Sequence, residues 1–139
     1  MEKNKDRYLY KIEEEFDYKG FKCIVLLINL PKEETQQLKL HKIKINTKWR
    51  CGYVGVDKKH ILYKKHYQDL DNHNFNVNGG LTFSGFRKEI LSKGYWYFGF
   101  DFNHYSNTPK NSSFRIAKQQ VKRLARELLQ DNLILDNLK

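Results

Sequence analysis

The sequence predicts an α+β fold: an antiparallel sheet of about five to six strands packed against a C-terminal helix. Three observations lead there. Short alternating or wholly apolar runs recur along the chain, such as FKCIVLLINL and YWYFGFDF. Clusters of Gly, Asn, Asp and Ser separate them, as turns separate strands. One long amphipathic segment closes the chain and can cover a sheet face. The 139 residues fit one domain spanning 1–139, which is long enough to bury a core unaided.

The expected elements run in order. YLYKIEEEF (8–16) alternates as a strand does, DYKG (17–20) reads as a turn, and FKCIVLLINL (21–30) is a buried strand. Together they predict an N-terminal hairpin over 8–30, which Pro31 ends because proline cannot donate to a ladder. Residues 32–41 are polar and fit a short helix or a loop. A motif-bearing sheet is expected over 42–104. KIKIN (42–46) alternates with period 2, and WRCGYVGV (49–56) is a strand whose glycines suggest bulges or close backbone approach. Residues 57–78 read as one long loop, and loops of that length are usually functional or partly disordered. GGLTFSGF (79–86) and YWYFGFDF (95–102) are strands, linked by RKEILSKG with room for one helical turn. After a loop of turn formers (103–113), a helix over 113–130 is expected, capped by Ser112 or Ser113.

Composition narrows the function classes. Apolar residues are 40% and charged residues 30%, which fits a globular chain. No run of 18 apolar residues exists to span a membrane. The charged start MEKNKDRYLY has no apolar secretory core, so the cytoplasm is the expected setting, with Cys23 and Cys51 as free thiols. The net charge of +10 implies an anionic partner, although most of the 26 basic residues are lysines and a lysine excess is often only a solvated surface.

On the closing helix, Phe114, Ala117, Val121, Leu124, Ala125 and Leu128 form an apolar face. Arg115, Lys118, Lys122 and Arg126 form a basic stripe beside it with no i, i+4 acid partners. That stripe reads either as a solvated face or as an anion-facing one. No metal set is expected, since His41, His60, His66, His73 and His104 make no ligand spacing, and Asp101 with His104 gives only two ligands. No P-loop, dinucleotide fingerprint or nucleophile elbow is present, so neither a catalytic residue nor a cofactor is expected.

The order of RCGYVGV (50–56), H-x-L-Y (60–63), GGLTFSG (79–85) and WYFGFDFNH (96–104) resembles a family of small, uncharacterised phage proteins. Their motifs look like CGYV, proline-glycine-histidine-x-leucine-tyrosine, HGGLTYSG and WWFGFD with a following histidine. The resemblance covers about residues 49–130. It implies a phage-encoded protein and brings no activity, cofactor or catalytic residue. Two departures stand out: Asn78 where the pattern has His, and Asp57-Lys58-Lys59 in place of the proline-glycine run.

The residues themselves suggest a site. Gly79 and Gly80 allow close approach to main-chain N–H groups. If WYFGFDF is a strand, Tyr97, Gly99 and Asp101 share a face on which a flat ring can lie. Asp101 needs a partner among Arg50, Thr82 and His104, because an unpaired buried carboxylate is costly. The candidate ligand surface is Arg50, Tyr53, Tyr63, Asn78, Gly79, Gly80, Thr82, Ser84, Tyr97, Asp101 and His104, with loop 57–78 as a lid. The expected function is sequestration of an anionic, ring-containing small molecule, a nucleotide immune signal of the host being the natural candidate for a phage sponge. A site shared between copies of a homo-oligomer is expected as well. The alternative is binding of nucleic acid along the helix stripe, or of a host defence protein.

Overall fold

A computed structural model describes residues 2–3, 9–41, 47–70, 75–87, 93–104 and 106–137. The strands are β1 (Glu2–Lys3), β2 (Leu9–Tyr18), β3 (Phe21–Asn29), β4 (Lys48–Val56), β5 (Phe83–Gly85) and β6 (Trp96–Asp101); the helices are α1 (Lys32–Leu40) and α2 (Phe114–Asn137). The strands form one antiparallel sheet in the order β1-β2-β3-β4-β6-β5, with α2 packed on one face against β3 and β4. The predicted α+β architecture is therefore present. Among the described residues no helix is long and apolar enough to cross a membrane.

The N-terminal hairpin turns through Lys19 and Gly20, with Tyr18 opposite Phe21. A bulge between Ile12 and Glu14 places Glu14 opposite Val25 and turns its side chain toward α2. Glu14 then pairs with Lys118, while Glu13 takes Arg50 in a two-point grip at 2.7 and 3.2 Å. The polar segment after Pro31 is helical.

The helix face of the sheet buries Cys23, Val25, Val54, Val56, Phe98 and Phe100 under Ala117, Val121, Leu124, Ala125 and Leu128. The opposite face is also apolar and buried: Tyr10, Ile24, Leu26, Ile28, Cys51, Tyr53 and Tyr97 form a second cluster. CIVLLI (23–28) is continuously apolar because β3 is buried on both faces.

The glycines of β4 and β6 bind those strands together. Three direct cross-strand pairs join a glycine to an aromatic ring: Gly52 to Phe100, Tyr53 to Gly99, and Gly55 to Tyr97. At each glycine a Cβ would come within 2.6 Å of the partner ring. The ring lies flat over the space that a missing side chain leaves, as in aromatic rescue of strand glycines. The predicted close approach is thus present. The predicted bulge is not, since β4 keeps its register against both neighbours.

Other expectations shift. GGLTFSGF is a strand only over Phe83–Gly85, because Gly79 and Gly80 sit at φ +69° and +75° in a turn closed by Gly80 N–H to Val77 O. The helix expected to stop at 130 continues to Asn137, and Asn132 there accepts the Ile61 N–H at 2.8 Å. Ser113 caps it, accepting the Ile116 N–H at 3.2 Å. The KIKIN strand and most of the 87–94 link fall outside the described residues.

Candidate functional site

Five of the predicted site residues meet beyond the C-terminal end of β6. Asp101 accepts the Thr82 hydroxyl at 3.1 Å and the Asn103 N–H at 2.9 Å. His104 Nε2 lies 3.3 Å from Asp101 Oδ1 and is buried without a hydrogen bond. The His104 ring covers Gly79, so glycine is required there twice, by the left-handed backbone and by the ring. Asn78 donates to the Asp101 carbonyl at 3.0 Å and exchanges amide hydrogen bonds with Asn107. Asn107, buried and also accepting the His104 N–H, is the hub that the sequence reading missed. Its only sequence signal was an asparagine within a loop of turn formers. Asp101 is about a quarter exposed at a strand end, so it is not the buried carboxylate expected.

The remaining candidates lie elsewhere, each for a physical reason. Tyr53 and Tyr97 are 5% and 0% exposed and occupy the glycine gaps themselves, so the flat ring expected over Gly99 is Tyr53's own. Burial also raises the Tyr53 phenol well above its usual range. Ser84 lies opposite Phe98, and its hydroxyl accepts the Tyr67 N–H at 2.9 Å. Tyr63 packs edge-on against Phe86. Arg50 turns away from Asp101 to Glu13 and to the Ser112 carbonyl at 3.0 Å. Gly80 is an open turn position with no atom near its missing Cβ.

Loop 57–70 is fastened down rather than free to close as a lid. His60 is 6% exposed, with Nε2 bonded to the Leu128 carbonyl at 2.8 Å and Nδ1 accepting the Leu62 N–H at 3.0 Å. Leu62 enters the core. A 3₁₀ turn at Tyr67–Asp69 leads to the Ser84 contact.

The basic stripe is largely spent inside the molecule. Lys118 grips Glu14 and lies over Phe16, Lys122 lies over Tyr18, and Arg126 donates to the Tyr18 hydroxyl at 3.1 Å. That hydrogen bond, with the surrounding cations, lowers the Tyr18 pKa. Arg115 stays exposed.

A cavity of about 250 Å³ lies between the N-terminal end of β4 and the loop before α2. Leu27 and Phe102 supply its apolar surface, and Lys48, Trp49 and Arg50 line it from β4. Asn107, Thr108, Pro109 and Ser112 line it from the loop. Asn107 therefore joins the Asp101 network to this cavity. Arg50 uses three of its five N–H bonds on Glu13 and Ser112, which leaves two. Lys48 is exposed, with no carboxylate partner among the described residues. Among the described residues no three His, Cys, Asp or Glu side chains gather as a metal site.

No family model matches the chain, and neither the curated proteins nor the solved structures yield a match.

Proposed function

We propose that this protein binds an anionic, ring-containing small molecule in the cavity beside Trp49 and Arg50. The observation that supports the reading is the lining itself: two cationic side chains, Lys48 and Arg50, and the hydroxyl-bearing Thr108 and Ser112 surround a hollow over Leu27 and Phe102. Ligand sites combine these features, with apolar contact for affinity and a few polar groups for orientation. Apolar contact with Leu27, Phe102 and Pro109 suits the face of a base, and guanidinium and ammonium groups suit a phosphate or carboxylate. Ligand pockets usually run from about 300 Å³ upward, so this one suits a single ring with one anionic group better than a cyclic oligonucleotide. The cavity forms within one chain, so the reading does not require the homo-oligomer expected from the sequence. In the phage setting implied by the resemblance, the role would be sequestration of a nucleotide signal in the host cytoplasm.

Thermal shift and equilibrium dialysis with mononucleotides, cyclic mononucleotides and ADP-ribose test this. A ligand at 100 times its Kd should stabilise the fold by about 2.7 kcal/mol. Lys48→Glu, an exposed change, should weaken binding without altering the unliganded Tm. If none of these compounds stabilises the protein or is retained, the reading fails. A ligand recovered intact after denaturation supports sequestration, whereas recovery as cleaved product replaces it with an enzyme.

A further inference from the structure

The register puts one end of the sheet opposite the cavity. Gly55 lies across from Lys22 and from Tyr97, Tyr18 from Phe21, and Gly85 from Tyr97. The hairpin tip, the turn after Val56, the end of β5 and the start of β6 therefore crowd together there. Six exposed lysines stand on these turns: Lys19, Lys58, Lys59, Lys64, Lys65 and Lys93. None has a carboxylate partner among the described residues; the ion pair at this end is Lys22 with Asp17. Repulsion among gathered like charges opposes folding, so stability gives no reason for the cluster.

The backbone adds an independent sign. The described non-glycine residues with positive φ are Lys19 at +55° and Lys64 at +66°, and both lie at this end. L side chains are strained in that region, and Asn or Gly is the usual occupant of such a turn. At Lys19 the two-residue hairpin turn with Gly20 itself demands this geometry, which leaves Lys64 as the strained residue that the sheet does not explain, and such strain gathers at functional surfaces. Each of these lysines also lies over a tyrosine ring, Lys19 over Tyr18 and Lys64 over Tyr63. Between the lysines stands an aromatic group, with Phe86 in edge contact with Tyr63 and with Trp96 at 6.0 and 5.1 Å. Phe86 is 41% exposed.

From these features we infer that the lysine-rich end is a binding surface for single-stranded nucleic acid, with phosphates on the lysines and a base on Phe86. Unpaired bases offer ring faces that a duplex hides, and sequence-tolerant single-strand binders combine a cationic track with stacking rings. This surface is distinct from the helix stripe, whose Lys118 is already paired with Glu14.

Fluorescence anisotropy with a labelled 20-nucleotide oligo-dT, titrated from 50 to 300 mM NaCl, tests it. The full chain should bind at 50 mM and weaken steeply with salt. Lys64→Gln with Lys65→Gln should make the log K against log salt slope shallower by about 1.4, at roughly 0.7 per lost single-strand contact. Phe86→Ala should weaken binding roughly ten-fold with the slope unchanged, as loss of one stacked base does. Phe86→Leu keeps apolar bulk but lacks a ring, so it should also lose binding; Phe86→Trp should keep it. Lys11→Gln at the far end should change neither quantity. The inference is overturned if the wild type does not bind at 50 mM. It is also overturned if a blunt duplex binds as tightly, if Phe86→Leu binds like wild type, or if Lys11→Gln matches the Lys64/Lys65 variant.

Discussion

Gly99→Ala tests the claim that glycine–aromatic pairs hold β4 to β6. The new Cβ would lie 2.6 Å from the Tyr53 ring and 3.3 Å from the Gly52 carbonyl. Carbon atoms in comfortable contact sit about 3.5–4.0 Å apart, so the ring must withdraw by about 1 Å. It has little room to do so. Tyr53 is 5% exposed, meets Phe83 edge-on at 5.7 Å, and accepts a hydrogen bond from Arg87 at 3.3 Å. Overpacking of this kind costs about 1–3 kcal/mol, and replacing a strand glycine returns about 0.5–1 kcal/mol of chain entropy. The net expectation is a loss of about 1–2 kcal/mol. In urea, at a slope of about 2 kcal/mol/M, the midpoint should fall by about 0.5–1 M. The paired variant Tyr53→Leu should cost stability alone yet relieve Gly99→Ala, so the double-mutant cycle should be non-additive. A Gly99→Ala midpoint at or above wild type, or an additive cycle, would refute the packing argument.

Two further outcomes follow from buried titratable groups. Burial lowers the His60 pKa below the ordinary 6.5, so the unfolded chain takes up that proton first as pH falls. This contribution should be complete above pH 6.5 and decline below it until the folded-state pKa is reached; urea midpoints from pH 8 to 5 should show the decline in wild type and less of it in His60→Gln. Burial pushes both thiols, Cys23 and Cys51, up to about 12. Neither should react with a disulfide reagent at pH 8 until the chain is unfolded, and release of either thiol's equivalent on mixing with native protein would contradict the assigned burial.

Legibility in the sequence followed how local each signal was. The β2–β3 hairpin, β4, β6 and the capped closing helix were readable, since alternation, apolar runs and a serine cap are written in adjacent residues. The meeting of Thr82, Asp101 and His104 was also readable, because two successive strands commonly pair. The occupants of the glycine gaps were not. A glycine within a strand announces close approach but not whose ring approaches, and the rings proved to be the protein's own. The partner of Arg50 was not readable, because Glu13 lies 37 residues away and turns inward at a bulge that leaves no mark on the sequence. The basic stripe lacked partners within its own helix, and those it has come from β2, at separations that helix periodicity does not sample.

That same bulge also governs how the sheet meets its surroundings. β1 pairs only with Leu9 and Tyr10, and beyond them β2 has no strand on its outer side among the described residues. A bare edge invites a second chain to add itself, and flat edges are how sheets grow into aggregates. Here the ladder is interrupted at Ile12/Glu14, and the carboxylates beyond it are held by Arg50, Lys118 and Lys22. A second copy laid along this border would meet a bulged strand instead of a straight, continuous ladder to extend, which blunts the edge against its own kind.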